Sequence, residues 1–265
     1  MGSPRPQRKE PLLILSCCAW ALSGPEEQSL DQLAELGFRY VDVRPQALRS
    51  PKARQCLKDL GLRISCMAIA FPEAPLDSPD EREAAQAFSQ LSAALAHGHD
   101  LGATTAYAVP GMDGSAPALA RYAGALERLA EEAQHAGLKL GIEHFPGRSL
   151  PTAAATLDFI EKIGHPNLYL LFDLGHAQIS GEDPAAIIRR AGPRLGYVHL
   201  DDNDGRHDQH LSLLDGVLTQ ETLHRTWAAL GEVKYQGPLS LELHPQLPDP
   251  LAALRRSRAV VLRLG

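Results

Sequence analysis

Short apolar runs alternate with amphipathic segments along nearly the whole chain. The runs have the length and the branched, leucine-rich composition of interior strands, which are predicted at 12–17, 39–45, 63–70, 104–111, 138–144, 167–173, 195–201 and 238–244. Between and after them, apolar residues recur at helical spacing, which predicts helices at 29–37, 53–61, 78–102, 116–137, 152–163, 184–191, 218–230 and 248–262.

This regular strand–helix alternation predicts an α/β fold with one parallel sheet and right-handed crossovers. Eight such units close into a single (β/α)8 TIM barrel with an outer ring of helices, and 265 residues is close to the roughly 250 typical of one. A doubly wound open sheet is the alternative, but no G-x-G-x-x-G follows the first strand. We therefore expect one domain over 1–265, with 1–10 as an extended or disordered N-terminus.

The N-terminal segment has a second interpretation. Basic residues precede the apolar run 12–22, and small residues follow it, which is also the outline of a signal peptide. Cleavage there would remove the first strand, which the eight-unit barrel needs. The strand is the favoured interpretation.

Charge and cysteine content limit the functional classes. The formal net charge of −6 argues against a nucleic-acid partner, which favours a basic surface. The four cysteines have no CxxC or zinc-ribbon spacing, so they are interpreted as reduced thiols of a cytoplasmic protein without a membrane partner.

The last four strands each carry a polar residue near the carboxyl end, where TIM barrels place their active sites. Alternation along each strand turns the leucines toward the helices and leaves the polar residue facing the barrel interior. These residues are Glu143, Asp173, His199 and Glu242. Burying three carboxylates together is costly unless a cation or protons neutralise them, so the pattern predicts a divalent-metal site.

The loop after strand seven, within "YVHLDDNDGRHDQHLSLLDG" (197–216), adds further candidates. Asp208 and His210 can reach back over the barrel mouth, and His176 follows Asp173 at the same rim. These three are predicted to bind a second metal, to orient the first ligands or to contact substrate hydroxyls. The other loop charges are interpreted as ordinary solvation: Asp201, Asp202, Asp204 and His207.

At these residues the sequence resembles the xylose-isomerase-like TIM barrels, a group of sugar-phosphate isomerases and epimerases that also contains endonuclease IV. "GIEHFP", "LFDLGHA", "YVHLDDNDG" and "LSLELHP" resemble the family's successive metal-binding strand ends. The resemblance implies that Glu143, Asp173, His199 and Glu242 bind one divalent cation, with Mn²⁺ expected and Mg²⁺, Co²⁺ or Zn²⁺ as alternatives.

The same resemblance implies a reaction. The cation would hold the substrate's oxygens and stabilise an enediolate, while Glu143 and Glu242 exchange the proton next to the carbonyl. His176 and Arg206 would contact substrate oxygens, and Trp20 would either stack on the sugar or pack under a loop. The expected substrate is a ketose or related polyol, unphosphorylated because the loop after strand seven is acidic.

Three other functions stay open in the sequence. A dehydratase of the inosose or dehydroshikimate type would use the same proton abstraction and then expel a hydroxyl group. Endonuclease IV-like hydrolysis is disfavoured, because Val109 stands where that branch has a histidine, although "DQH" at 208–210 resembles its D-x-H pair. A barrel that binds sugar or metal without turnover is the remaining alternative.

Overall fold

The computed structural model describes residues 14–69 and 75–264. Eight parallel strands close into a barrel in the order β1 to β8, with β8 pairing back onto β1. The strands are Leu15–Cys18, Tyr40–Val43, Arg63–Ala68, Thr105–Ala108, Lys139–Glu143, Leu168–Asp173, Leu195–Leu200 and Leu239–Leu241. The predicted (β/α)8 barrel is therefore confirmed.

Nine α-helices surround the described barrel: α1 to α9 span Glu26–Glu35, Pro51–Asp59, Glu81–Asp100, Ala116–His135, Ala153–Ile163, Leu174–Ile179, Pro184–Ala191, Gln220–Glu232 and Pro250–Leu262. Side-chain caps fix where several of them begin. Ser115 accepts from the N–H of Ala118 at the start of α4, and Thr152 accepts from that of Ala155 at the start of α5. Such caps satisfy backbone donors that the first turn leaves free.

The predicted orientation of the strand side chains is also confirmed. Leu140 on β5, Leu170 on β6 and Leu241 on β8 belong to the large apolar core between the barrel and its helices. A smaller apolar cluster forms a separate core, made of Cys66, Ala68, Tyr107, Leu171 and Tyr197. Because strand residues alternate between two faces, this small cluster fills the barrel interior.

Three details extend or qualify the sequence prediction. The first strand is in the barrel over Leu15–Cys18, whereas the predicted extended segment 1–10 lies outside the described residues. Helix α6, directly after β6, was not predicted. Within the described ranges, no helix is both long and apolar enough to cross a membrane.

Candidate metal centre at the barrel mouth

The four predicted strand-end residues meet around the imidazole of His199. His199 Nδ1 lies 2.5 Å from Glu242 Oε2, 3.3 Å from Glu143 Oε1 and 3.8 Å from Asp173 Oδ2. All four side chains are buried, and one ligand atom from each lies within 4.8 Å of the other three. The parallel sheet explains this convergence, since its strands all end on the same rim.

Asp173 has two separate functions at this rim. Its Oδ1 accepts from the N–H of His176 at 2.7 Å and so caps helix α6. Its Oδ2 faces His199 instead. The capping bond fixes the carboxylate orientation, so the unpredicted helix α6 also determines where Asp173 presents its second oxygen.

Burial and neighbouring charges shift the pKa values of Glu143, Glu242 and His199 in different directions. Burial raises the pKa of Glu143. Burial also opposes ionisation of Glu242, but His199 outweighs it and lowers the pKa of Glu242 to about 2. Burial disfavours a charged His199, yet Glu242 beside it raises the pKa of the imidazole well above its usual value. The two glutamates thus differ in their preference for a proton, although both lie against one histidine.

The donor set fits a divalent cation. Asp173 Oδ2 and His199 Nδ1 are buried, and neither makes a hydrogen bond of acceptable geometry within the described part of the chain. Buried polar atoms normally have partners, and carboxylate oxygens with one imidazole nitrogen are ligands that Mn²⁺, Mg²⁺ or Zn²⁺ accept. A cation would satisfy both orphaned atoms and offset the charge of the carboxylates.

A second group lies beside the first and contains the three predicted loop and rim residues. Asp208 Oδ2 is 3.4 Å from His176 Nε2, and Asp208 Oδ1 is 3.2 Å from His210 Nε2. On the opposite side of each ring, His176 Nδ1 is 2.8 Å from the carbonyl oxygen of His144, and His210 Nδ1 lies 2.9 Å from Asp201 Oδ2. Both Nε2 atoms therefore face one carboxylate.

Charge favours protonated histidines in this second group. Burial lowers the pKa of His176, but Asp173 and Asp208 outweigh it and raise that pKa to about 10. The backbone of His210 is in the left-handed region at φ 44°, which a non-glycine residue rarely adopts. Strain of this kind persists only where surrounding structure enforces it, and here it directs the ring between two carboxylates.

The interpretation of Asp201 and Asp202 as solvated loop residues is wrong. Both are fully buried. Asp201 Oδ1 accepts from the N–H of Gly175, while its Oδ2 faces His210. Asp202 accepts three backbone N–H groups and so holds the loop closed. In contrast, Asp204 is exposed as expected.

Sequence reasoning missed Asp42 on β2, a fully buried carboxylate. It accepts hydrogen bonds from Ser16, Ser65 and Tyr197, and its second oxygen lies 3.7 Å from His199 Nε2. The available signal was an acid between two valines in "YVDV", since an acid inside a buried strand requires partners.

Two predicted substrate contacts have contrasting positions. Trp20 donates its indole N–H to Glu242 Oε1 at 3.0 Å, and the Arg44 guanidinium lies 4.8 Å from the centre of its ring. Trp20 therefore contacts a candidate ligand directly, while stacking on a sugar stays a prediction. Arg206 is exposed on the loop, where its backbone N–H donates to Asp204. Its role toward substrate also stays a prediction.

Comparison with known families agrees with this architecture. The model of the xylose isomerase-like TIM barrel matches residues 30–263, which is most of the chain. The chain belongs to the xylose isomerase-like TIM barrel family. The predicted family resemblance is thereby confirmed.

Similar proteins with named activities include an epimerase and a dehydratase. The L-ribulose 3-epimerase of Mesorhizobium japonicum is 30% identical over 198 residues, covering 68% of this chain and 66% of that protein. The inosose dehydratase of Lacticaseibacillus casei is 29% identical over 212 residues, covering 72% and 70%. The matched region thus spans about two thirds of each relative.

Solved structures share the whole barrel. An L-ribulose 3-epimerase superposes with a TM-score of 0.83 at 24% identity, covering 96% of this chain and 94% of the other. The 3-keto-D-glucoside 4-epimerase of E. coli gives 0.82 at 17% identity, covering 95% and 99%. At these identities the likeness establishes the fold.

Proposed function

We propose that this protein is a divalent-cation-dependent isomerase or epimerase of a ketose or related polyol. The observation that carries the proposal is the convergence of two buried glutamates, Glu143 and Glu242, with Asp173 on the His199 imidazole. The L-ribulose 3-epimerase of Mesorhizobium japonicum, one of its relatives, supports a ketose as the substrate class.

Glu143, Asp173, His199 and Glu242 would hold the cation. When bound, the cation supplies a Lewis acid that polarises the substrate carbonyl and stabilises the negative charge that develops on its oxygen. Glu143 and Glu242 remove and return the proton at the neighbouring carbon, because a positioned carboxylate can act as a general base and, once protonated, as a general acid. Trp20 holds one oxygen of Glu242 and thereby limits how that carboxylate turns.

Solvent-proton exchange tests the two glutamates. The variants Glu143→Gln and Glu242→Gln keep side-chain size but remove the group that carries the proton. Wild-type protein loaded with Mn²⁺ should introduce solvent deuterium into at least one member of a ketose panel, followed by NMR, and each variant should lose at least about 100-fold in exchange rate. Glu232→Gln is the matched control, because Glu232 is exposed and pairs with Arg189 away from the strand ends. Unchanged exchange in both site variants would contradict the assigned roles.

Metal content tests the cation itself. Protein incubated with Mn²⁺ and then desalted should retain at least one equivalent per chain by elemental analysis. The variants Asp173→Asn and His199→Gln should lose the equivalent held at these four residues, since each removes a ligand. Absence of retained metal in wild-type protein incubated with Mn²⁺ or Zn²⁺ would refute the cation-dependent mechanism.

A second cation is proposed at His176, Asp208 and His210, and their geometry supports it. Each histidine has its Nδ1 next to an acceptor and its Nε2 facing Asp208, which is how metal-binding histidines are commonly oriented. A cation would replace the protons that the pKa of His176 now favours. A second retained equivalent that disappears in His210→Gln, with the first unchanged, is the expected result at this site.

A dehydratase is the second candidate, and the inosose dehydratase relative favours it. The same proton abstraction would be followed by departure of a neighbouring hydroxyl group. Mass spectrometry of products from a polyol-ketone panel separates the two, because an epimerase conserves mass and a dehydratase removes water.

A further inference from the structure

The carboxylate of Asp42 is held asymmetrically inside the barrel. Its Oδ1 accepts hydrogen bonds from Ser16 Oγ at 2.9 Å, Ser65 Oγ at 2.5 Å and the Tyr197 hydroxyl at 2.5 Å. These three donors come from β1, β3 and β7 and fix the plane of the group. Oδ1 therefore accepts all three of these hydrogen bonds, and Oδ2 points away from the three donors.

The second oxygen, Oδ2, faces His199. It accepts a hydrogen bond from the Cys18 thiol at 3.6 Å and lies 3.7 Å from His199 Nε2, and all three side chains are fully buried. His199 Nε2 makes no hydrogen bond within the described residues, which leaves it as an orphaned buried polar atom. At 3.7 Å the contact is longer than a hydrogen bond, so a small rotation of the imidazole would complete it.

The opposite side of the same ring faces the candidate cation ligands. His199 Nδ1 is the nitrogen that lies against Glu143, Asp173 and Glu242. An imidazole that binds a metal through Nδ1 must carry its proton on Nε2, and such histidines usually donate that proton to a carboxylate or carbonyl. The rings of Tyr107 and Tyr197 pack against this imidazole, each nearly perpendicular to it.

A structural role alone does not explain a carboxylate here. Three hydroxyl donors on Oδ1 would be satisfied equally well by the neutral oxygen of an asparagine, whereas an ionised buried carboxylate has a large desolvation cost. The second oxygen, Oδ2, faces the His199 imidazole, and this contact distinguishes a carboxylate from an amide at this position.

We propose that Asp42 is a positioning residue for the cation site: it accepts the Nε2 proton of His199, fixes the tautomer and directs Nδ1 to the cation. This inference rests on the cation site proposed above. It assigns a function to a polar cluster on β1, β2 and β3, outside the four strand-end ligands. Asp42 itself makes no contact with substrate in this role.

The isosteric variant Asp42→Asn tests the proposal. Its amide oxygen can take the place of Oδ1, which puts the NH₂ group opposite His199 Nε2. Two donors would then face each other, and the imidazole would favour the tautomer with its proton on Nδ1, where the cation binds. We expect Mn²⁺ affinity to fall at least about tenfold, measured from the EPR signal of free Mn²⁺ during titration.

A matched control separates positioning from general damage to the cluster. Tyr197→Phe removes one of the three donors to Oδ1 but keeps the carboxylate and the ring against His199, so it should lower thermal stability and reduce Mn²⁺ affinity less than Asp42→Asn does. Equal losses of affinity in both variants would overturn the proposal. So would an Asp42→Asn variant that is less stable but keeps wild-type affinity.

A measurement on the wild-type protein covers the case in which the variant does not fold. In Zn²⁺-loaded, ¹⁵N-histidine-labelled protein, the Nε2 proton of His199 should exchange slowly and lie downfield, as expected for donation to a carboxylate. An Nε2 proton at the ordinary imidazole shift would overturn the role of Asp42 alone. Wild-type protein that binds neither ion would overturn both this inference and the proposed function.

Discussion

The loop over the barrel mouth depends on one buried carboxylate, Asp202, and the variant Asp202→Asn tests this. Oδ1 accepts from the N–H groups of Asn203 at 2.8 Å and Leu218 at 2.9 Å, while Oδ2 accepts from that of Gly216 at 2.7 Å. Asparagine has only one acceptor atom, so either orientation of its amide places an NH₂ group against at least one backbone N–H.

The magnitude follows from these three contacts. In the better orientation the variant loses one hydrogen bond to a charged acceptor, worth about 1.5–3 kcal/mol, and leaves a buried donor unsatisfied at about 1–3 kcal/mol. The two costs partly describe the same lost contact and do not simply add, so we expect the free energy of unfolding to fall by about 3 kcal/mol, measured by urea denaturation. The Gly216 and Leu218 amides should also exchange faster with deuterium, since local opening of the loop exposes them.

A variant in the same loop provides the control. Asp215 is half-exposed and pairs with Arg256 at 2.8 Å, and surface pairs contribute about 0–1 kcal/mol. Asp215→Asn should therefore change stability by less than about 1 kcal/mol. If Asp202→Asn were equally mild and the two amides kept their protection, the assigned anchoring role would be refuted.

Three further predictions concern the site and its support. Trp20→Phe removes the indole N–H that Glu242 accepts, so proton exchange should slow about tenfold in the deuterium assay, and an unchanged rate would contradict this contact. Binding of Mn²⁺ at pH 7 should release protons and weaken as the pH falls. Burial disfavours a charged His199, but Glu242 raises the pKa of its imidazole above the usual value, so the cation must displace a proton from His199. Titration heats that do not depend on the ionisation enthalpy of the buffer would argue against this expectation. Gly175→Ala would place a Cβ in steric overlap with the Asp201 carboxylate, so the free energy of unfolding should fall by about 1–3 kcal/mol. Wild-type stability in urea would show that the carboxylate moves aside freely.

The barrel itself could be predicted from the sequence. Parallel strands buried on both faces are continuous apolar runs, and the helices outside them keep a 3.6-residue period, so local pattern and global topology agree. The same alternation identified the inward residue at each strand end. This alternation alone was enough to identify four residues whose side chains the structure brings together: Glu143, Asp173, His199 and Glu242.

The interpretation of acidic residues outside that alternation depended on tertiary structure. Asp201 and Asp202 have the same local signature as solvated acids, because sequence shows charge but not the donors that compensate it. Asp42 is buried by hydroxyl donors from three other strands, and Asp202 by backbone groups up to sixteen residues away. Helix α6 is likewise capped by Asp173, and this capping bond sets the orientation of the Asp173 carboxylate, a candidate ligand.

The sequence by itself thus determined the order of the eight strands and of the helices other than α6, which strand residues face the barrel interior, and the four polar residues at the strand ends. Tertiary structure alone decided which remaining charges are buried, which nitrogen of His199 faces the cluster and which carboxylate lies behind it. The physical reason is the sequence separation over which each property is determined. Periodicity is a local property of the chain, whereas the stability of a buried charge depends on donors that reach it only after the barrel closes.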